Sequence, residues 1–141
     1  MENDQQVLNN VLKTAQMGQV GIRSVMSYAV ANGLKDALRS QQKEYDTIER
    51  EAYSVAAARC WDLQELNPMA KLLSNTSART SLMFGDTDSK IAAMMINGNT
   101  KGMIKGLKHL HRGTADASVN TLSQKLIDTE CANIRQMQGF V

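Results

Sequence analysis

Apolar residues recur every three or four positions along most of the chain, and that spacing leaves few folds open. Leu8, Val11, Ala15, Gly18, Ile22, Val25 and Ala29 form one stripe, and Leu34, Leu38, Tyr45, Ile48, Ala52 and Val55 form a second. This period puts side chains on one face of a helix and does not fit the alternation of a strand. Asn32-Gly33 between the stripes reads as a helix stop, and so short a junction folds the two helices into an antiparallel hairpin. A single proline and few aromatic residues (4%) also favour helix over sheet.

A third helix is expected from about Thr87, after the break in FGDTDS, to Arg112. Gly113-Thr114 stops it and starts a last helix with Val119, Leu122, Leu126, Ile134 and Met137 on its stripe. Four segments of roughly 25 to 28 residues are each about 40 Å long. Matched lengths suit a four-helix bundle, because unmatched ends leave apolar stripe in water. The remaining span, 61–86, is too long for a tight turn. It is expected to cross the length of the bundle, as in ferritin-like topology: two antiparallel hairpins joined by a long connection. A short extra helix would open at Asn67-Pro68. The alternative is an up-down bundle in which Pro68 to Arg112 is one long third helix. In either case residues 1–141 form a single helical-bundle domain, large enough to fold without staples.

Composition narrows the function classes. A net charge of +2 is too small to call for a polyanionic partner. No apolar run approaches the roughly 20 residues that span a bilayer. The polar, acidic start MENDQQVLNN is unlike a signal peptide. Cys60 and Cys131 lack any CxxC pattern and are expected to be buried thiols rather than a disulfide framework or a nucleophile. A cytoplasmic location is expected.

The stretch Ser89-Lys-Ile-Ala-Ala-Met-Met-Ile-Asn-Gly-Asn-Thr-Lys-Gly-Met-Ile resembles a motif of a family of small uncharacterised bacterial helical proteins, in which it reads approximately SHIAEMMIQGSTMGI. Three further stretches are similar to that family. Ala15-Gln-Met-Gly resembles its KMG or QMG, and Tyr45-Asp-Thr-Ile-Glu-Arg-Glu-Ala resembles its YxxIxxEA. Leu126-Ile-Asp-Thr-Glu-Cys-Ala-Asn-Ile resembles its LLxTEExNIE. Together they touch all four expected helices. The resemblance implies a ferritin-like or simple four-helix bundle and no particular activity. Where the motif has His and Glu, this chain has Lys90 and Ala93, so two ligand-type side chains are replaced.

A carboxylate-bridged metal site in such a bundle needs glutamates from two helices and Glu-x-x-His from the other two. Iron and manganese accept hard carboxylate oxygens, with imidazole as a neutral ligand. This chain offers Glu51-Ala-Tyr-Ser54 and Glu130-Cys-Ala-Asn133, without histidine, and Gln16 and Gln19 where a glutamate is wanted. His109 and His111 are two apart and point to different sides of their helix. A degenerate iron or manganese site, if present, would use Glu49, Glu51 and Glu130. Glu130 lies on an apolar stripe, so it must pair or stay protonated. A Lys, Arg or Gln on a neighbouring helix is the expected partner. Tyr45 and Tyr53 would pack amphipathically, or line a redox site in the metal alternative.

Lys105-Gly-Leu-Lys-His-Leu-His-Arg112 is the densest basic run. Cations there complement the helix macrodipole, and nucleic-acid binding is not expected. Met94, Met95 and Met103 read as core packing, with contact to a partner left open. Gly98, Gly102 and Gly106 fall four apart within a helix. Each costs roughly 1 kcal/mol of helix propensity, so they are expected to form a groove against Ala15, Gly18 and Gly21 of the first helix. The function expected from these residues is non-catalytic: packing or partner binding, with no cofactor and a homodimer as one form. The alternative is a divergent ferritin-like metal-binding or redox protein.

Overall fold

The computed structural model describes residues 3–67 and 85–141. Among the described residues there are four helices and no strand. They are α1 (Asp4–Met26), α2 (Asn32–Ala58), α3 (Thr87–Arg112) and α4 (Ala117–Gln138). None of them is long and apolar enough to cross a membrane. The expected four-helix bundle is therefore present.

Local chemistry sets the helix ends. The Asn3 side chain accepts from Gln5 N–H at 2.8 Å at the start of α1. Asp116 does the same for α4, accepting from Ser118 and Val119 N–H at 2.9 and 3.1 Å. These are N-caps of the ordinary kind. α1 stops at Met26, several residues before the expected stop. Tyr28 and Ala29 N–H turn back onto Val25 and Met26 carbonyls at 3.0 and 3.3 Å. Asn32-Gly33 then opens α2 instead of ending α1. Ala31, the N-cap of α2, supplies no side-chain cap. Asp88, in the first turn of α3, replaces it from across the bundle. Its carboxylate accepts from Val30 N–H at 2.8 Å and Ala31 N–H at 2.9 Å.

The helix directions follow from such contacts. α1 packs mainly on α2, and α3 mainly on α4; α2 also meets α4, and α1 meets α3. Asp4 accepts from Ala115 N–H at 3.1 Å, and Arg59 pairs with Asp116. The start of α1, the end of α2 and the α3–α4 junction therefore share one end of the bundle. The Asp88 clamp and the contact of Gly33 with Phe140 mark the other end. Adjacent helices are antiparallel, while α2 and α3 run parallel on a diagonal. The end of α2 and the start of α3 therefore lie at opposite ends of the bundle, and a passage from one to the other separates the two hairpins.

Residues 61–67 begin that passage along α1, held by side-chain amides. Gln5 donates to Asp62 O at 2.9 Å. Asn9 donates to Gln64 O at 2.9 Å and accepts from Gln64 N–H at 2.6 Å, and Gln16 accepts from Leu66 N–H at 2.8 Å. The extra helix expected after Asn67 lies outside the described residues. The alternative of one helix from Pro68 to Arg112 is overturned: Gly85 and Asp86 are both left-handed (φ 49° and 41°), and α3 starts at Thr87. A left-handed pair interrupts the hydrogen-bond ladder that a continuous helix requires.

The glycine groove needs correction. Gly98 is exposed and its missing Cβ would meet open space. Gly102 and Gly106 do pack closely, but mainly on α4. A Cβ at Gly102 would lie 3.0 Å from Glu130 Oε2 and 3.1 Å from Thr14 Cγ2, and one at Gly106 would lie 2.9 Å from Ile127 Cγ1. On α1, Gly21 faces open space, while a Cβ at Gly18 would lie 2.6 Å from the Tyr45 ring. The stripe faces α4 because α3 pairs with α4 in its hairpin and meets α1 only along one edge.

These contacts predict opposite signs for one substitution type. Gly98→Ala is expected to stabilise the bundle by about 0.5–1 kcal/mol through helix propensity alone. Gly18→Ala is expected to destabilise it by about 1–3 kcal/mol, because the ring it meets is fixed. Urea unfolding of both variants checks the contrast. Asp88→Ala is expected to cost about 1–2 kcal/mol, the usual worth of a lost cap. The same titration measures it, and an unchanged midpoint would show that the Asp88 clamp contributes nothing.

Candidate functional site

Four polar side chains meet inside the bundle, halfway along its helices. Tyr45 of α2, Asn99 of α3, and Glu130 and Asn133 of α4 are each no more than 2% exposed. Each sits on its helix's buried stripe, so the 3.6-residue period that packs the core also delivers these groups to one layer. Gly18 and Gly102 make the room. Gly18 lets the Tyr45 ring lie against α1, and Gly102 lets the Glu130 carboxyl lie against α3. One stretch of each helix supplies this layer: Gly18 on α1, Tyr45 on α2, Asn99 with Gly102 on α3, and Glu130 with Asn133 on α4.

The Tyr45 oxygen is the hub. It lies 2.6 Å from Glu130 Oε1 and 2.8 Å from Asn99 Oδ1, and accepts from Asn133 Nδ2 at 3.4 Å. One phenolic proton cannot serve two acceptors fully. If Glu130 is ionised, it takes that proton, and Asn99 Oδ1 is left without a donor. If Glu130 is protonated, its own O–H donates to Tyr45, and Tyr45 donates to Asn99. The neutral acid therefore closes more of the network. Burial acts in the same direction: desolvation pushes the Glu130 carboxyl up to about 7, although the Tyr45 hydroxyl partly offsets it by favouring the carboxylate. Burial first, and then the neighbouring Glu130 charge, push the Tyr45 hydroxyl well above its usual range, so it stays neutral. Among the described residues Asn99 Nδ2 has no hydrogen-bond partner, and neither does the Oε1 atom of Gln41, one turn from Tyr45 on α2. Gln41 Nε2 donates to Gln136 Oε1 at 2.8 Å.

The expected partner of Glu130 was a Lys, Arg or Gln; the partner is a tyrosine. The reason is geometric. Positions facing a bundle's centre favour apolar or aromatic bodies, and tyrosine combines such a body with a hydroxyl tip that can reach a carboxyl. Glu49 and Glu51 do not join Glu130. Glu49 accepts from Gln19 Nε2 on α1 at 3.0 Å. Glu51 pairs with Lys125 on α4 at 2.8 Å, and both side chains are nearly half exposed. Two residues apart on one helix, the two glutamates point to different neighbours. Among the described residues no group of three or more His, Cys, Asp or Glu side chains is arranged to hold a metal ion. Gln16 holds Leu66 and contacts Tyr53, whose hydroxyl donates to Glu65 at 2.6 Å. Burial, then Glu65, push the Tyr53 hydroxyl up to about 12. Cys60 is exposed rather than buried, on a left-handed residue just after α2. Cys131 is half-buried, with Sγ 3.3 Å from Met103 Sδ.

Asn99 and Asn133 were not singled out from the sequence. The available signal was the one that flagged Glu130: a polar residue at a stripe position, here four after Met95 and seven after Leu126. No family model, curated protein or solved structure matches the chain.

The carboxyl predicts a pH dependence of stability. A folded value near 7 lies above the ordinary value near 4.5. Stabilisation from this group is thus complete below about 4.5 and is lost as pH rises through about 7. The full shift corresponds to about 3 kcal/mol. Asp116 works the other way and at lower pH, because Arg59 holds its carboxyl below the usual range. Unfolding free energies of the wild type and of Glu130→Gln, compared at about pH 5 and about pH 8, isolate the Glu130 contribution. The wild type is expected to lose stability relative to the variant at the higher pH. Parallel profiles would mean that Glu130 carries no raised value.

Proposed function

We propose that the chain is a non-catalytic four-helix bundle of ferritin-like type that acts through protein contact in the cytoplasm. A second copy of itself is the first partner to test, and the four stretches quoted from the sequence are similar to those of the uncharacterised bacterial bundle family. The observation that carries this reading is that Glu49, Glu51 and Glu130 are each engaged with a different partner. In a carboxylate-bridged bundle, glutamates from several helices face one space. Here Glu130 is engaged by Tyr45, Glu49 by Gln19 and Glu51 by Lys125. These side chains occupy one another rather than converging on a reacting centre. The parallel α2 and α3, with the end of α2 and the start of α3 at opposite ends of the bundle, support the ferritin-like type.

The surface offered to a partner lies along the outside of α4. A hollow of about 930 Å³ runs there, flanked by Glu44 and Thr47 of α2 and by Leu110 of α3, with Thr121, Gln124 and Ala132 on its floor. Such a mixture of polar and apolar groups is ordinary for contacts between proteins.

Protein purified without chelator is expected to contain no stoichiometric iron or manganese and to stay colourless in air after incubation with either ion. Stoichiometric metal that is lost in Glu130→Ala would overturn this reading in favour of the degenerate metal site. Sedimentation equilibrium checks the partner: a concentration-dependent dimer, weakened by Thr121→Arg, is the expected result. A monomer at every concentration would remove self-association from the proposal.

A further inference from the structure

A second polar hollow lies away from the central layer. It is bounded by the N-terminal half of α1, residues 62 and 64 and the C-terminal third of α3, and has a volume of about 460 Å³. That is the size of a small-molecule site. Lys13 of α1 and Lys105 of α3 both line it, brought together by the antiparallel packing of those helices. Neither ammonium has an ion-pair or hydrogen-bond partner among the described residues. Among the described residues Asp62 is the one carboxylate in the lining, against two lysines. Lys13 is half-buried and Lys105 exposed, and two cations beside one concave space make it attractive to an anion.

The walls are fixed. The Asn9 side chain makes two hydrogen bonds to the Gln64 backbone, and Gln5 holds Asp62 O. Asn10 also lines the hollow, is only 7% exposed, and has a buried Oδ1 with no hydrogen-bond partner. An unpaired buried amide is costly and calls for an explanation. Oδ1 is the closed end of this amide, and Nδ2 makes no hydrogen bond among the described residues, so the N–H end is the one left to donate to a group in the hollow. Gln6 lines the same space and adds a second amide.

We propose that this hollow binds the phosphate group of a small phosphorylated molecule. Lys13 and Lys105 balance its charge, and the amides of Asn10 and Gln6 donate to its oxygens. A phosphate fills only part of the volume, which leaves room for the body of the molecule and places Asp62 to accept from a hydroxyl on it. A nucleic-acid backbone carries the same group, and Lys105 opens the basic run that ends at Arg112. The hollow is walled by the 62–64 segment, however, which suits a small molecule better than a continuous strand.

The test uses the full chain and follows the side-chain amide signals of Asn10 and Gln6 by nitrogen–proton NMR. The probes are glycerol 3-phosphate, inorganic phosphate and a single-stranded DNA oligonucleotide, with sodium chloride at matched ionic strength. Saturable shifts with glycerol 3-phosphate are expected, none with chloride, and a loss of affinity of about tenfold or more in Lys13→Gln and in Lys105→Gln, as for a lost charge-assisted hydrogen bond. Both lysines are unpaired, so both variants are expected to keep the wild-type circular dichroism spectrum. Shifts that chloride reproduces, that both variants retain, or that only the oligonucleotide causes would each overturn the proposal. Saturation by inorganic phosphate with the same lysine dependence supports it.

Discussion

The hydrogen bond between Tyr45 and Glu130 ties together more of this molecule than any other contact. It links α2 to α4 and, through Asn99, reaches α3 across the diagonal. Buried polar atoms in a bundle centre are destabilising unless they satisfy one another. Every neighbour of this pair is arranged around that constraint. Gly18 leaves space for the ring, Gly102 leaves space for the carboxyl, and Asn133 supplies a donor. Such a layer adds little net stability, yet it penalises any register in which its members fail to meet. Register is what this layer specifies.

The ends of the bundle are fixed by a second device. Asp88 closes the α1–α2 junction from α3, Asp4 holds the α3–α4 junction from α1, and Arg59 ties the end of α2 to the cap of α4. Arg59 also lies 5.8 Å from the centre of the Trp61 ring, which aims the chain onto α1 as it leaves α2. The amide ladder of Gln5, Asn9 and Gln16 then carries residues 61–67 along α1. One row of polar residues on α1 thus guides the chain and, beside it, forms a wall of the hollow that Lys13 and Lys105 face.

Parts of this were legible in the sequence because they depend on neighbours in the chain. The apolar stripes, the break before Thr87 and the stop at Gly113 are local, and the helices follow them. The end of α1 was not, because Asn32-Gly33 serves equally well as a stop or a start. The choice was made by Asp88, far away in sequence. The glycine stripe showed that close packing was needed but not what would fill it. Helix propensity and spacing are properties of one helix, whereas the contacts of Gly102 with Glu130 and Thr14 belong to three.

By itself, the sequence determined four amphipathic helices of matched length, the short junctions that make two hairpins, and a buried carboxyl on the last helix. Those follow from the 3.6-residue period and from the cost of leaving apolar surface in water. Only the tertiary structure decided that α2 and α3 run parallel on a diagonal, that Glu130 meets Tyr45 rather than a cation, and that Glu49 and Glu51 turn to other partners. Each is a pairing between segments far apart in the chain. A one-dimensional pattern states which face of a helix is buried, but not which residue of another helix lies opposite.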